Sequence, residues 1–446
     1  MTKSASIPKE IEDFRLKGVA DFSFGVGGVA TFPNTDPTKT SEIRAVITFA
    51  NGESYGHMNY KTAGNVYRSA IVKFDSDTGQ PDTSFGTAGV VDIPAVAALA
   101  NEESWSYKAE GFNDRYILMC GYEYSAAAYH ASVKVFDTQT ESLVPTFGTA
   151  GTYFHNSADG ARPHTIAEVC AWDKYSNQIV FAGRGFAGFN TSKTYIGVLD
   201  MTGTLVASFN TGSILQVTDA ALVDSYLPEN VLITSDSYTF NGTHWPAGYA
   251  YDQSYLHKIS KTGVADPAFG TNGFIFSTAA TAGNGLVTNF RNLYLAGDGN
   301  LISQTTNYDY NDSRIVKLSH TSGAPVLSFG TAGVLEVRSQ LEPEFGPFTY
   351  FYINNLILMG NGHLLVNWGS DDSISGFYSN RITEFDASGA IVRSFGVNGT
   401  YSFVIPTGLP NNSSWRFPET ANAPILIPGI CYSVWAVKTA CVWKVE

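Results

Sequence analysis

The feature that most constrains this chain is a short motif that returns seven times. Its copies are Ser23-Phe24-Gly25, Ser84-Phe85-Gly86, Thr146-Phe147-Gly148, Ser208-Phe209-Asn210, Ala268-Phe269-Gly270, Ser328-Phe329-Gly330 and Ser394-Phe395-Gly396. Successive phenylalanines lie 61, 62, 62, 60, 60 and 66 residues apart. A second glycine follows four residues after the phenylalanine in six copies; in the fourth, Gly212 comes one place early. Glycines at fixed offsets mark turns that need positive φ. A phenylalanine locked between such turns is a natural plug between neighbouring sheets. Self-similarity at a fixed period identifies a repeat architecture, so the 446 residues need not be several domains.

Each unit carries a strand that ends about ten residues before its phenylalanine, as in AIVKFD (70–75), SVKVFD (132–137), YIGVLD (195–200) and RITEFD (381–386). Upstream lie two further strands with hairpin signals such as Asn51-Gly52 and Gly360-Asn361-Gly362. The unit therefore reads as four strands, A to D, with the motif on D. The acids at strand-C ends, Asp75, Asp137, Asp200 and Asp386, read as turn caps. Seven four-stranded units fit radial repetition: an all-β, seven-bladed β-propeller of antiparallel blades, one domain over 1–446. The last unit offers strand A near Ile425, B near Val434 and C at Val442–Glu446, with no strand D. Residues 14–25, behind an N-terminal extension at 1–13, supply an orphan D. Pairing the two closes the ring and removes two sheet edges.

The signature D-x-S-F-G-x-x-G stands at Asp82-Thr83-Ser84-Phe85-Gly86 with Gly89, and at Asp21-Phe22-Ser23-Phe24-Gly25 with Gly28. It resembles the delta-60 repeat, a bacterial β-propeller family, and more distantly NHL-type propellers. The resemblance implies a fold and brings no agreed activity, because fold and function are separable.

The net charge of −13 argues against binding phosphate backbones, which needs a basic surface. No stretch approaches the roughly 18 apolar residues of a membrane helix. The N-terminus lacks the apolar run of a secretory leader, so a cytoplasmic location is the default expectation, with export lacking a cleaved signal left open. Cys120, Cys170, Cys431 and Cys441 form no CxxC pair and read as free thiols.

The A–B and C–D turns are short, whereas the D–A segments (86–103, 148–164, 330–350) and B–C segments (236–253, 304–312) are long. Long irregular connections carry function more often than short ones, so the binding face is expected on the B–C/D–A side, at the channel mouth. His57, Tyr122, Arg184, Asp236, Thr305 and Trp368 are expected to ring that mouth just beyond strand B, with Trp245 beside them. Aromatics concentrate in YTFNGTHWPAGYAYDQSY (238–255), and rings with polar tips suit sugars and peptides. Packing of the loops themselves is the other account of these rings.

No nucleophile elbow, HExxH, P-loop or kinase signature occurs. These features favour a non-catalytic module binding a glycan, peptide or protein. One alternative is a metal-assisted hydrolase, lactonase or lyase using Asp236, Glu123, His57 and Arg184, with a divalent cation such as calcium in view of Asp309, Asp312, Asp371 and Asp372. A scaffold in a larger assembly is the third reading; the sequence says nothing of oligomeric state.

Overall fold

The computed structural model describes residues 29–32, 41–64, 66–94, 104–125, 128–155, 164–186, 192–217, 226–244, 253–276, 288–307, 313–348, 351–371, 378–403, 409–410, 425–432 and 438–445. After β1 (Val29–Phe32), the first sheet comprises β2 (Ser41–Thr48), β3 (Ser54–Lys61), β4 (Tyr67–Phe74) and β5 (Val90–Ile93). The second comprises β6 (Ser104–Phe112), β7 (Tyr116–Ser125), β8 (Ala128–Asp137), a short β9 (Ser142–Leu143) beside β8, and β10 (Thr152–His155). The third is β11 (His164–Asp173), β12 (Gln178–Phe186), β13 (Lys193–Leu199) and β14 (Leu215–Gln216). The fourth is β15 (Tyr226–Ile233), β16 (Ser237–His244), β17 (Gln253–Ser260) and β18 (Phe274–Phe276). The fifth is β19 (Thr288–Leu295), β20 (Leu301–Asn307), β21 (Ser313–Leu318) and β22 (Val334–Leu335). The helix α1 (Val337–Phe345) leads into the sixth: β23 (Phe351–Leu358), β24 (Leu364–Asp371), β25 (Tyr378–Phe385) and β26 (Thr400–Phe403). The last sheet is β27 (Leu409–Pro410), β28 (Ile425–Tyr432) and β29 (Lys438–Val445), completed by β1.

All pairings within these sheets are antiparallel, and first strands pack against the first strands of neighbouring sheets. The architecture is a β-propeller whose first strands lie nearest the axis. The ring is closed as the repeat arithmetic requires, because β1 pairs with β29 from Val29↔Trp443 to Phe32↔Ala440. The closing strand is displaced from the expected one: residues 14–25 lie outside the described residues, and the pairing falls on 29–32. The same displacement runs through every described repeat. The Phe-Gly motif sits in the turn before the fourth strand, and the strand starts only after the second glycine, as at Val90. In the last sheet 425–432 is the second strand, and 438–445 the third.

The reason lies in the backbone of the turn. Gly86, Ala88 and Gly89 all have positive φ (54°, 54° and 89°), and Phe269-Gly270-Thr271-Asn272-Gly273 repeats the pattern at 58°, 52° and 86°. Three left-handed residues in four cannot lie in a strand. Phe85, Phe147, Phe209, Phe269, Phe329 and Phe395 are buried in these turns. The residue after the plug donates its N–H to the next sheet's C–D turn: Gly148 to Thr202 O (2.7 Å), Asn210 to Thr262 O (3.0 Å), Gly270 to Ser322 O (3.0 Å) and Gly330 to Ser388 O (3.0 Å). A Cβ on Gly270 would stand 2.0 Å from the Phe274 carbonyl oxygen, so side chains there are excluded. The strand-end acids cap their turns as expected: Asp200 Oδ1 accepts from the N–H groups of Thr202 and Thr204, and Asp386 Oδ1 from those of Ser388 and Ala390.

Deleting residues through Phe32 is expected to expose the β29 edge and open the ring, giving aggregation by light scattering and loss of the cooperative melt. Phe269→Ala should cost about 3–5 kcal/mol by denaturant unfolding, as for other buried phenylalanines.

Candidate functional site

The second strands run further into polar sequence than expected, and this relocates several candidate residues. His57, Tyr122, Arg184, Thr305 and Trp368 lie within β3, β7, β12, β20 and β24, not beyond them. His57 and Trp368 are 0% exposed, and Thr305 is buried. Trp368 belongs to the core under α1, packed on Phe345, Phe348 and Phe351, and its indole N–H donates to Thr383 Oγ1 (2.8 Å). Asp236 precedes β16, in an A–B turn at the opposite end of the sheet, where it accepts from Thr234 Oγ1 (2.7 Å). Trp245, Asp309, Asp312 and Asp372 lie outside the described residues, as do most positions of the D–A and B–C connections. Tyr238, Phe240 and Tyr255, at the ends of the aromatic-rich segment, are core residues.

Polar residues are tolerated in these strands because their side chains satisfy neighbouring sheets. Asn59 Nδ2 donates to Ser106 O (2.9 Å), Asn241 Nδ2 to Phe290 O (2.6 Å) and Gln304 Nε2 to Ile353 O (2.6 Å). Each acceptor lies in the first strand of the next sheet, beside a break in its register.

Those breaks build a site that the sequence reading missed. All six long first strands carry a β-bulge at the same place, between Ile43/Ala45, Ser106/Lys108, Ala167/Val169, Pro228/Asn230, Arg291/Leu293 and Ile353/Asn355. The residues skipped are Arg44, Tyr107, Glu168, Glu229, Asn292 and Asn354. A bulge leaves one residue unpaired and re-aims its side chain. Asn292 apart, these positions fall in the half of the strand nearest the D–A connection. Lys108 Nζ of the second sheet reaches Asn230 Oδ1 of the fourth at 3.2 Å, across the intervening third. Residues can meet over a whole sheet only at the axis, so Lys108 and Asn230, each beside a bulge, reach the channel.

Charge is concentrated there. Arg184 Nε lies 3.0 Å from Glu168 Oε1, and Arg44 Nη1 lies 3.1 Å from Glu42 Oε1. Glu168 is 8% exposed, and its Oε2 is buried with no hydrogen-bond partner among the described residues. Burial pushes the Glu168 carboxyl up to about 8, with Arg184 opposing and Glu229 adding to the rise. Burial also raises Glu229, against Arg291 and Lys108. Tyr107 is pushed up to about 12, chiefly by burial and then by Glu168.

A second buried group lies within the second sheet. Lys134 and Glu123, each buried, form an ion pair, with Ser104 Oγ donating to Glu123 (3.0 Å) and Lys134 Nζ donating to Ser104 Oγ (3.0 Å). Glu123 is thus committed to Lys134. His57 feels both Lys134 and Arg44, and burial pushes it down to about 3, so it is neutral at ordinary pH. Asp236, Glu123, His57 and Arg184 are not brought together as one centre. Among the described residues no three or more His, Cys, Asp or Glu side chains gather in a way that could hold a metal, and no helix is long and apolar enough to cross a membrane.

Glu168 binds a proton more tightly folded than unfolded, so its contribution to stability is fully present below its unfolded pKa and is lost as pH rises through about 8. Melting of the native protein relative to Glu168→Gln should therefore fall between pH 5 and pH 9, whereas an unchanged difference would contradict the raised carboxyl.

No family model matches the chain, and no curated protein matches it. Among solved structures, it is similar to the acylaminoacyl peptidase of Pyrococcus horikoshii, at 10% identity and a TM-score of 0.46, over 91% of this chain and 51% of that one. This chain thus spans about half the length of that peptidase. It is similar to a protein of unknown function from Dyadobacter fermentans, at 9% identity and a TM-score of 0.45, over 94% of this chain and 100% of that one. A subtype N10 neuraminidase-like protein of A/little yellow-shouldered bat/Guatemala is similar at 9% identity and a TM-score of 0.39, over 77% of this chain and 94% of that one. Likenesses at this level carry no argument about activity.

Proposed function

We propose that this propeller is a non-catalytic recognition module that binds a glycan, peptide or protein on the face bearing the D–A and B–C connections. One observation carries the reading. Six bulges recur at one place in the backbone, yet they present Arg44, Tyr107, Glu168, Glu229, Asn292 and Asn354. Scaffold residues repeat because every junction has the same job. Residues that differ at equivalent positions around one axis suit a ligand without seven-fold symmetry. The partly exposed rings of Tyr122 and Tyr129, 4.9 Å apart edge to face, supply apolar surface on the same half of the second sheet. The delta-60 resemblance of the Phe-Gly turns belongs with this reading as the source of the scaffold and adds nothing to the choice of ligand.

The test is a glycan array with a peptide pull-down on the whole chain, followed by Arg184→Ala and Trp245→Ala. Binding should weaken at least about tenfold, an ordinary loss for an anchoring side chain, while Asp236→Ala, at the opposite end of its sheet, leaves it unchanged. Absence of any bound glycan or peptide, or indifference to Arg184→Ala and Trp245→Ala, would count against the reading. Trp368→Ala is unsuitable because it empties the core.

A further inference from the structure

Five of the six described C–D turns carry a glycine at one seat, two residues before the bridge that closes the turn: Gly79 before Pro81, Gly203 before Leu205, Gly263 before Ala265, Gly323 before Pro325 and Gly389 before Ile391. Their φ angles run from 69° to 90°. The turn after β8 has Glu141 at the same seat, two residues before Leu143, and keeps the left-handed backbone at φ 52°. An L side chain is disfavoured in that conformation, which glycine adopts freely. The glutamate stands there against the preference of its own backbone, and its carboxylate shows what it does.

It replaces a backbone tie. At four junctions the N–H after the plug reaches the carbonyl of the residue just before the seat glycine, on Thr202, Thr262, Ser322 and Ser388. At the first junction Gly86 N–H donates instead to Glu141 Oε2 (2.8 Å). A Cβ at the seat excludes the closest of these approaches, since one on Gly203 would stand 2.5 Å from the Gly148 nitrogen. Glutamate carries that Cβ, and its longer side chain spans the distance. The two kinds of tie open differently. Freeing Gly148, Asn210, Gly270 or Gly330 requires a whole C–D turn to move with the strands it joins. Freeing Gly86 requires only that one partly exposed side chain change rotamer, which exposed side chains do in picoseconds to nanoseconds. The inner side of this junction is fixed: Asn59 Nδ2 donates to Ser106 O (2.9 Å), and Ser69 Oγ lies 3.3 Å from Ser106 Oγ, all three residues being buried. The plug Phe85 packs on Tyr55 (5.7 Å) and Phe136 (6.3 Å). The first junction is thus pinned on its inner side and latched at its rim.

We infer that the rim of the first junction is a releasable latch, in which Glu141 holds the plug turn 82–89 against the second sheet and frees it by side-chain rotation, while the four junctions tied through backbone carbonyls stay closed. The turn leads straight into β5, so the outer edge of the first sheet is the part of the ring that gains freedom.

Amide hydrogen exchange on the full chain, read at single residues by NMR, tests this. In the native protein the Gly86 amide should be at least about tenfold less protected than the amides of Gly148, Asn210, Gly270 and Gly330. Two substitutions at the seat should then act in opposite directions. Glu141→Ala removes the acceptor and keeps the Cβ, so Gly86 should lose at least about threefold more protection. Glu141→Gly removes the Cβ and lets the Thr140 carbonyl approach as Thr202 does, so protection of Gly86 should rise towards that of the other four. The amides of Gly148 and Gly270, unchanged in both variants, report that the rest of the ring is folded. Protection of Gly86 equal to that of the other four amides in the native protein would overturn the proposal. So would a Gly86 amide that responds in the same direction, or not at all, to Glu141→Ala and Glu141→Gly.

Discussion

The structure depends on one junction repeated around the ring: a phenylalanine in a left-handed turn, with the next backbone N–H bonded to the neighbouring sheet. The phenylalanine supplies burial, of order 2–3 kcal/mol each. The N–H supplies direction, because Gly148, Asn210, Gly270 and Gly330 reach the C–D turns of the following sheets. That turn must come close, and its glycines allow it: a Cβ on Gly203 would stand 2.5 Å from the Gly148 nitrogen, and one on Gly323 2.0 Å from Ile275 Cδ1. Plug, turn and bond together set the spacing and rotation from one sheet to the next. Closure by β1 and β29 follows from a rotation repeated until it meets itself.

The same regularity makes the channel useful. Bulges cost ladder hydrogen bonds, so six at one place need compensation. Part of it is visible in Asn59, Asn241 and Gln304, whose amides bond carbonyls beside the next sheet's bulge. Burying ionisable groups at the axis is a further cost, eased by Arg184 beside Glu168 and by Lys108 and Arg291 acting on Glu229. Removing one partner of such a pair is strongly destabilising even where the pair itself adds little. The channel is thus a place where stability is spent on polar groups, and such places are where function is sought first.

Part of the candidate site was legible in the sequence. Arg184 was singled out and does stand in the channel group. Its partner Glu168 is not legible in the same way, because a residue inside a strand looks like scaffold until the ring brings it to the axis. A signal was available: Arg44, Tyr107, Glu168, Glu229, Asn292 and Asn354 each fall 20–25 residues after a motif phenylalanine, and five of the six are charged or amide side chains. His57, Thr305 and Trp368 failed for the opposite reason. The strands continue through them, since a polar residue inside a sheet stack can be paired sideways with the next sheet, and pattern alone does not show that.

The sequence by itself determined the repeat, the four-strand unit, the all-β ring and the fact that an N-terminal strand completes the last sheet. These follow from glycine sterics and apolar alternation, which are local and recur in every copy. Tertiary structure decided that the motif is a turn and that the closing strand is Val29–Phe32. It alone decided that residues from separate repeats converge on the axis as the group of Arg44, Tyr107, Glu168, Arg184 and Glu229. That group forms where the bulged first strands meet the second strand of the third sheet, which carries Arg184. Convergence of residues about 60 positions apart is a property of the closed ring and of no segment within it.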